Sequence, residues 1–134
     1  MKIGIAEAFR KYGAKLKNVN WSVSSWRDDD TLVVSLWDHH YLKASPPGIL
    51  AFGDRFDRWS GAGNSEFRAN VAKAFERGAT IRLVLARTLE PDRVQRGEDG
   101  SKIPKTFGVR DDLIGRVSKI DGENYVIEFR KGAV

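Results

Sequence analysis

The chain contains no cysteine. Disulfide stapling, thiol catalysis and any zinc site built on thiolates are thereby excluded. Histidine is almost as scarce, with two residues side by side at His39 and His40. Any metal site would have to be completed by carboxylates, so no metal and no cofactor is expected. Long apolar runs are missing too: nothing approaches the roughly 20 residues of a membrane span. Lys2 is basic, but Arg10 and Lys11 interrupt any apolar stretch of the kind a signal peptide needs. A cytoplasmic protein without a membrane partner is the expectation. Internal repeats and low-complexity segments are likewise missing, as are G-x-S-x-G, Walker and H-E-x-x-H motifs.

What is present fits one α+β domain spanning residues 1–134. A hydrophobic share of 41% and a charged share of 31% lie near globular averages, so the chain can bury a core. Four Trp, seven Phe and three Tyr supply bulky anchors for a core or a binding surface. The net charge is +5, unevenly spread. Residues 1–17 carry five basic side chains against one acid, residues 18–79 seven against eight, and residues 80–134 eleven against nine. A basic excess suits nucleic acid or another anionic partner.

Ile5, Phe9, Tyr12 and Leu16 recur at helical spacing and predict an amphipathic helix over 3–17, with Ala14 on its outer side. Trp21–Trp26 and Thr31–Trp37 read as strands joined by the turn Asp28-Asp29-Asp30, a hairpin in which Leu32, Val34 and Leu36 share a face. Residues 38–63 read as irregular, with Ile49–Phe52 a short strand. A second helix is expected over Ser65–Arg77, capped by Asn64 or Ser65, with Phe67, Val71, Ala74 and Phe75 inward and Gly78 as its stop. Thr80–Ala86 is a clear strand. Residues 88–106 read as a long polar loop, mobile over 90–102, and Leu113–Ile120 with Tyr125–Arg130 as a closing hairpin. The fold class that follows is α+β: a mostly antiparallel sheet, with a partial barrel as one arrangement, and two amphipathic helices packed on it.

The segment Arg55-Phe56-Asp57-Arg58-Trp59 sets two guanidiniums beside two aromatics, just before a glycine-rich loop and a helix start. Arg forks suit phosphate, aromatic faces stack on bases, and the amides at a helix start can hold an anion. The plainer alternative buries Phe56 and Trp59 and leaves the charges in solvent. Arg87, Arg93, Arg96, Lys102 and Lys105 lace the long loop. With Arg55, Arg58 and Trp59 they make up the expected nucleic-acid-binding set. Asp38-His39-His40-Tyr41 is read as a strand end: adjacent His would point apart, and a solvent or backbone partner is expected for each, with one His as a general base the chemical alternative. Asp121 with Glu128 and Arg130 approximates a nuclease layout, but Arg in the Lys position cannot activate a water.

Two resemblances accompany these residues. Arg58-Trp59-Ser60-Gly61-Ala62-Gly63 matches R-x-x-G-x-G and resembles the pyrophosphate loop of the GNAT acetyltransferases, which would imply coenzyme A binding. The N-terminal helix, Trp21, Trp37-Asp38 and Trp59 before Gly63-Asn64 together resemble a set of short bacterial proteins associated with mobile elements. No activity comes with that resemblance, only the expectation of a phage, plasmid or host-defence context. The expected function is a non-catalytic nucleic-acid-binding accessory domain, with DNA or RNA as partner. Its alternatives are a protein–protein interaction module, and a small acyltransferase-like or nuclease-like enzyme.

Overall fold

The computed structural model describes residues 3–43 and 45–132. Among the described residues, three helices and seven strands build an α+β fold. Helix α1 (Ile5–Lys11) is followed by β1 (Ser24–Trp26) and β2 (Leu32–Trp37), which pair antiparallel as expected. A 3-10 turn over Asp38–His40 leads to β3 (Leu50–Arg55). A second such turn, Phe56–Arg58, leads into α2 (Ala62–Arg77). Then come β4 (Ile81–Arg87), α3 (Pro91–Gln95), β5 (Thr106–Val109), β6 (Leu113–Asp121) and β7 (Asn124–Lys131).

The strands form one sheet in the order β1-β2-β4-β6-β7-β3, with β5 beside β4. Among the described residues, β2–β4 is the one parallel pair. β4 is the hinge of this arrangement. Its carboxyl half pairs with β5 from Val84 to Arg87, whereas β6 touches its beginning at Ile81. One edge of β4 is thus shared by two strands, and the sheet is open rather than closed into a barrel.

Both faces of the central strands are covered, which is why β2 and β4 read as nearly continuous apolar runs rather than as alternating ones. On one face Leu32, Val34, Ile81 and Leu83 meet Phe67 and Val71 of α2. On the other, Val33 and Val84 meet Phe9 and Tyr12 of α1. Each fully buried side chain of this kind contributes about 1.5–3 kcal/mol. Tyr12 adds a buried hydrogen bond to the Leu83 carbonyl at 2.7 Å, and burial pushes its phenol up to about 12. β6 and β7 are covered on one face only, and there the alternation is clean: Tyr125, Ile127 and Phe129 are buried in turn.

Several expected boundaries move. α1 stops at Lys11, because Gly13 takes a left-handed φ of 78° and the chain turns back. Ala14 is consequently buried rather than outward. β1 starts three residues late, at Ser24. α2 starts at Ala62, one turn early, so Asn64 lies inside the helix and donates to the carbonyls of Phe56 and Trp59 instead of capping. Its far end is as expected, with Gly78 at φ 62°. Phe75 is 45% exposed, beyond the edge of the apolar stripe. The expected loop over 88–106 contains α3 and a 3-10 turn, and it ends on the first residue of β5. Pro91 starts α3, while Arg93 and Arg96 pair with Glu98 to hold the following bend. No helix among the described residues is long and apolar enough to cross a membrane.

Candidate binding cleft

Parallel neighbours β2 and β4 end side by side, with Trp37 opposite Ala86. Beyond the carboxyl ends of such strands a crevice is the expected place for a ligand. A cleft of about 1010 Å³ opens there, at the upper end of the range for small-molecule sites. Its far wall is the start of α2 at Gly61–Gly63, and its lid is the chain after α3.

Three of the four Trp line this cleft: Trp21, Trp37 and Trp59. Trp26 does not, because its indole donates to Asn70 and lies under Lys73. Asn64 positions Trp59 by holding its carbonyl at 2.7 Å, and Trp59 packs half-buried against the main core.

The polar part of the wall is a linked cluster. Asp54, at the end of β3, accepts from Arg58 Nε at 2.5 Å and faces His40 Nδ1 at 3.5 Å. The side chains of His40 and Asp54 are only 8% and 5% exposed, yet both residues line the cleft. Tyr125 lies nearby with its phenol pushed far up, first by burial and then by the Asp54 charge, so it stays a neutral donor. Its hydroxyl makes no hydrogen bond among the described residues.

Gln95, the last residue of α3, closes the cluster from above. Its terminal amide lies 3.1 Å from His39 Nε2 and 2.7 Å from His40 Nε2. Amide oxygen and nitrogen exchange places by a half-turn. With the NH₂ towards the rings, its two hydrogens meet two Nε2 lone pairs, and His40 Nδ1–H is left to face Asp54. Both ring nitrogens of His40 are then partnered in its neutral form. Burial holds His40 below its ordinary value, outweighing the attraction of Asp54. The two His therefore do not point apart. Residues 38–40 form a 3-10 turn rather than a strand end, and both rings converge on one side chain.

Of the eight residues expected to bind nucleic acid, the structure brings Arg58, Trp59 and Lys105 together in the cleft. Lys105 donates to the carbonyls of Gly100 and Ile103, and burial lowers its pKa. Arg55 turns outward into a two-point pair with Asp57. Arg87 reaches Asp38 at 3.5 Å, Arg93 and Arg96 share Glu98, and Lys102 is exposed on the turn Gly100–Lys102. Most of the basic set is therefore paired with carboxylates and lies outside the cleft lining, rather than forming one bare positive face.

Composition and spacing missed Trp21, Trp37, Asp54 and Tyr125 as site residues and set His40 aside as a strand-end residue; the five come from four separate parts of the chain. The glycines of the R-x-x-G-x-G stretch do start a helix, but Gly63 faces the Trp21 carbonyl rather than open space. The strands on either side of that stretch, β3 and β4, are not neighbours in the sheet. Asp121 sits at the hairpin end and Glu128 lies opposite Arg116, and no cluster able to hold a metal occurs among the described residues. Comparison with known proteins finds no matching family model, no matching curated protein and no matching solved structure.

Proposed function

We propose that the cleft receives a nucleobase and that the protein is a nucleic-acid-binding domain without catalytic duty. The observation that carries this reading is the convergence of three indoles with a buried hydrogen-bonding cluster in one concave site. Stacking on an aromatic is worth about 1–3 kcal/mol per base, and polar groups on the wall can read the base edge. The rim pairs do not oppose it. Arg87 and Asp38 are 67% and 50% exposed, and such pairs contribute little, so a phosphate can take the guanidinium. The mobile-element context belongs to the same proposal.

The test is a titration of labelled single strands at two salt concentrations, read by quenching of Trp fluorescence. Contacts to about three phosphates would give a log–log salt slope near −2. Trp37→Ala should weaken binding about tenfold or more without moving the thermal midpoint. Absence of binding at low salt, or equal binding by the variant, would refute the reading. One observation favours a second reading, hydrolysis: His40, with Asp54 against its Nδ1, has the arrangement of an oriented general base once a bound water displaces the Gln95 amide from Nε2. Strand cleavage in the same titrations, abolished by His40→Gln, would make that the function.

A further inference from the structure

Leu89 is 100% exposed, the most exposed large apolar side chain among the described residues. It stands on the short connection between β4 and α3, two residues past Arg87. Val94 and the chain from Gly97 to Ser101, immediately after it, wall the cleft. An apolar tip without packing therefore stands between Ala86 and Val94, two residues that line the aromatic cavity, and is flanked by Arg87 and Arg93. At the other end of that cavity, Tyr125 and Phe67 are residues of the main core.

Depth is the decisive feature. The free Tyr125 hydroxyl and the His40–Asp54 pair lie below the surface, where the edge of a base stacked inside a duplex cannot arrive. A base meets them only after leaving the stack. Removing a base leaves a gap, and proteins that unstack DNA commonly fill such gaps with an apolar wedge. From this geometry we infer that the partner is duplex DNA with one nucleotide extruded into the cleft, and that Leu89 enters the space the base vacates. The inference rests on the base-binding reading above and adds the duplex, the extrusion and the wedge. Arg87, Arg93 and Arg96 then meet the phosphates on either side.

The experiment uses the full chain and a duplex oligonucleotide carrying one 2-aminopurine opposite a mismatched cytosine. Unstacking this base raises its fluorescence, and a mismatch is the easiest pair to open. We expect a several-fold rise on saturation. Leu89→Ala should lose most of the rise and bind the duplex about tenfold more weakly, while binding the single strand as the parent does. Because Leu89 packs against nothing, the variant keeps its fold, which far-UV circular dichroism checks. Duplex binding without a fluorescence rise overturns the extrusion and leaves single-strand binding standing; an unchanged rise in Leu89→Ala overturns the wedge. No binding of either strand form overturns the base-binding reading and this inference with it.

Discussion

Replacing Gly63 by alanine probes the fold and the cleft with a single methyl group. Gly63 lies in the first turn of α2, where helix propensity alone predicts that alanine would stabilise by about 0.5–1 kcal/mol. The surroundings predict the reverse. A Cβ there would overlap the Trp21 carbonyl oxygen and lie 3.2 Å from the carbonyl carbon and 3.4 Å from the Trp59 ring. The obstacle is backbone, so no rotamer change relieves it. Either α2 or the segment before β1 must move. Overpacking of this kind costs typically about 1–3 kcal/mol, and the overlap with backbone places it at the upper end. Net of the propensity gain, about 2 kcal/mol should be lost, which in a chain of this size lowers the thermal midpoint by roughly 6–10 °C. Gly4→Ala is the control, since nothing lies within 4 Å of that site and its φ is −83°. Calorimetry on the three proteins decides the matter. A midpoint for Gly63→Ala equal to or above the parent's would mean that α2 and Trp21 are not in contact, and the wall of the cleft would be wrong. Because Trp21 and Trp59 both flank the methyl, oligonucleotide binding should weaken as well, even where the fold persists.

Leu83→Ala should cost about 2–5 kcal/mol in chemical denaturation, because Leu83 is fully buried under α2 at the centre of the sheet; a cost below about 1 kcal/mol would contradict that burial. Tyr12→Phe should cost about 0.5–1.5 kcal/mol by removing the shorter of two hydrogen bonds to the Leu83 carbonyl, which keeps the Arg110 N–H at 3.3 Å, and unchanged urea midpoints would show the Tyr12 bond to be immaterial. His40 gives a pH dependence whose sign follows from its lowered pKa. Below the ordinary value of 6.5 the unfolded chain takes up a proton that the folded His40 refuses, so this contribution is full above about pH 6.5 and declines as the pH falls towards the folded value. Urea midpoints at pH 7.5, 6.0 and 5.0 should therefore fall less steeply in His40→Gln than in the parent, and parallel profiles would remove His40 from the account.

Much of the sheet was legible in the chain because its signals are local. The β6–β7 hairpin has one covered face, so Tyr125, Ile127 and Phe129 alternate with outward residues and the period of two stands out. α2 shows its period through Phe67, Val71 and Ala74, and its end through Gly78. Where the reading went astray, a distant contact had overridden a local preference. Asn64 looks like a cap, but its amide is taken by the carbonyls of Phe56 and Trp59, and the helix begins a turn earlier at Ala62, with Gly61 in the cap position. The stretch 88–106 has the composition of a loop. Ion pairs within it, together with the backbone of β4, supply the order that composition does not announce.

The site was less legible than the fold, for a reason of the same kind carried further. Arg58 and Trp59 were visible because they adjoin in sequence. Their partners do not: Asp54 comes from the end of β3, His40 from the turn after β2, Gln95 from α3 and Tyr125 from β7. What brings them together is that β2 and β4 run parallel and end at the same level, while β3 crosses to the far edge and pairs with β7. Asp54 stands opposite Tyr125 in that pairing, so the pairing of two strands at the edge of the sheet sets a carboxylate beside a buried phenol. Charge counting pointed to the cations and overlooked that most of them are answered by a carboxylate close in sequence. Arg55 with Asp57, Arg93 with Glu98 and Arg96 with Glu98 all lie within five residues of one another. Such short-range pairing leaves few of these cations free at rest. On the proposed reading, binding specificity therefore has to come from the aromatic and hydrogen-bonding interior of the cleft, with the paired cations contributing only when an incoming phosphate displaces their partners.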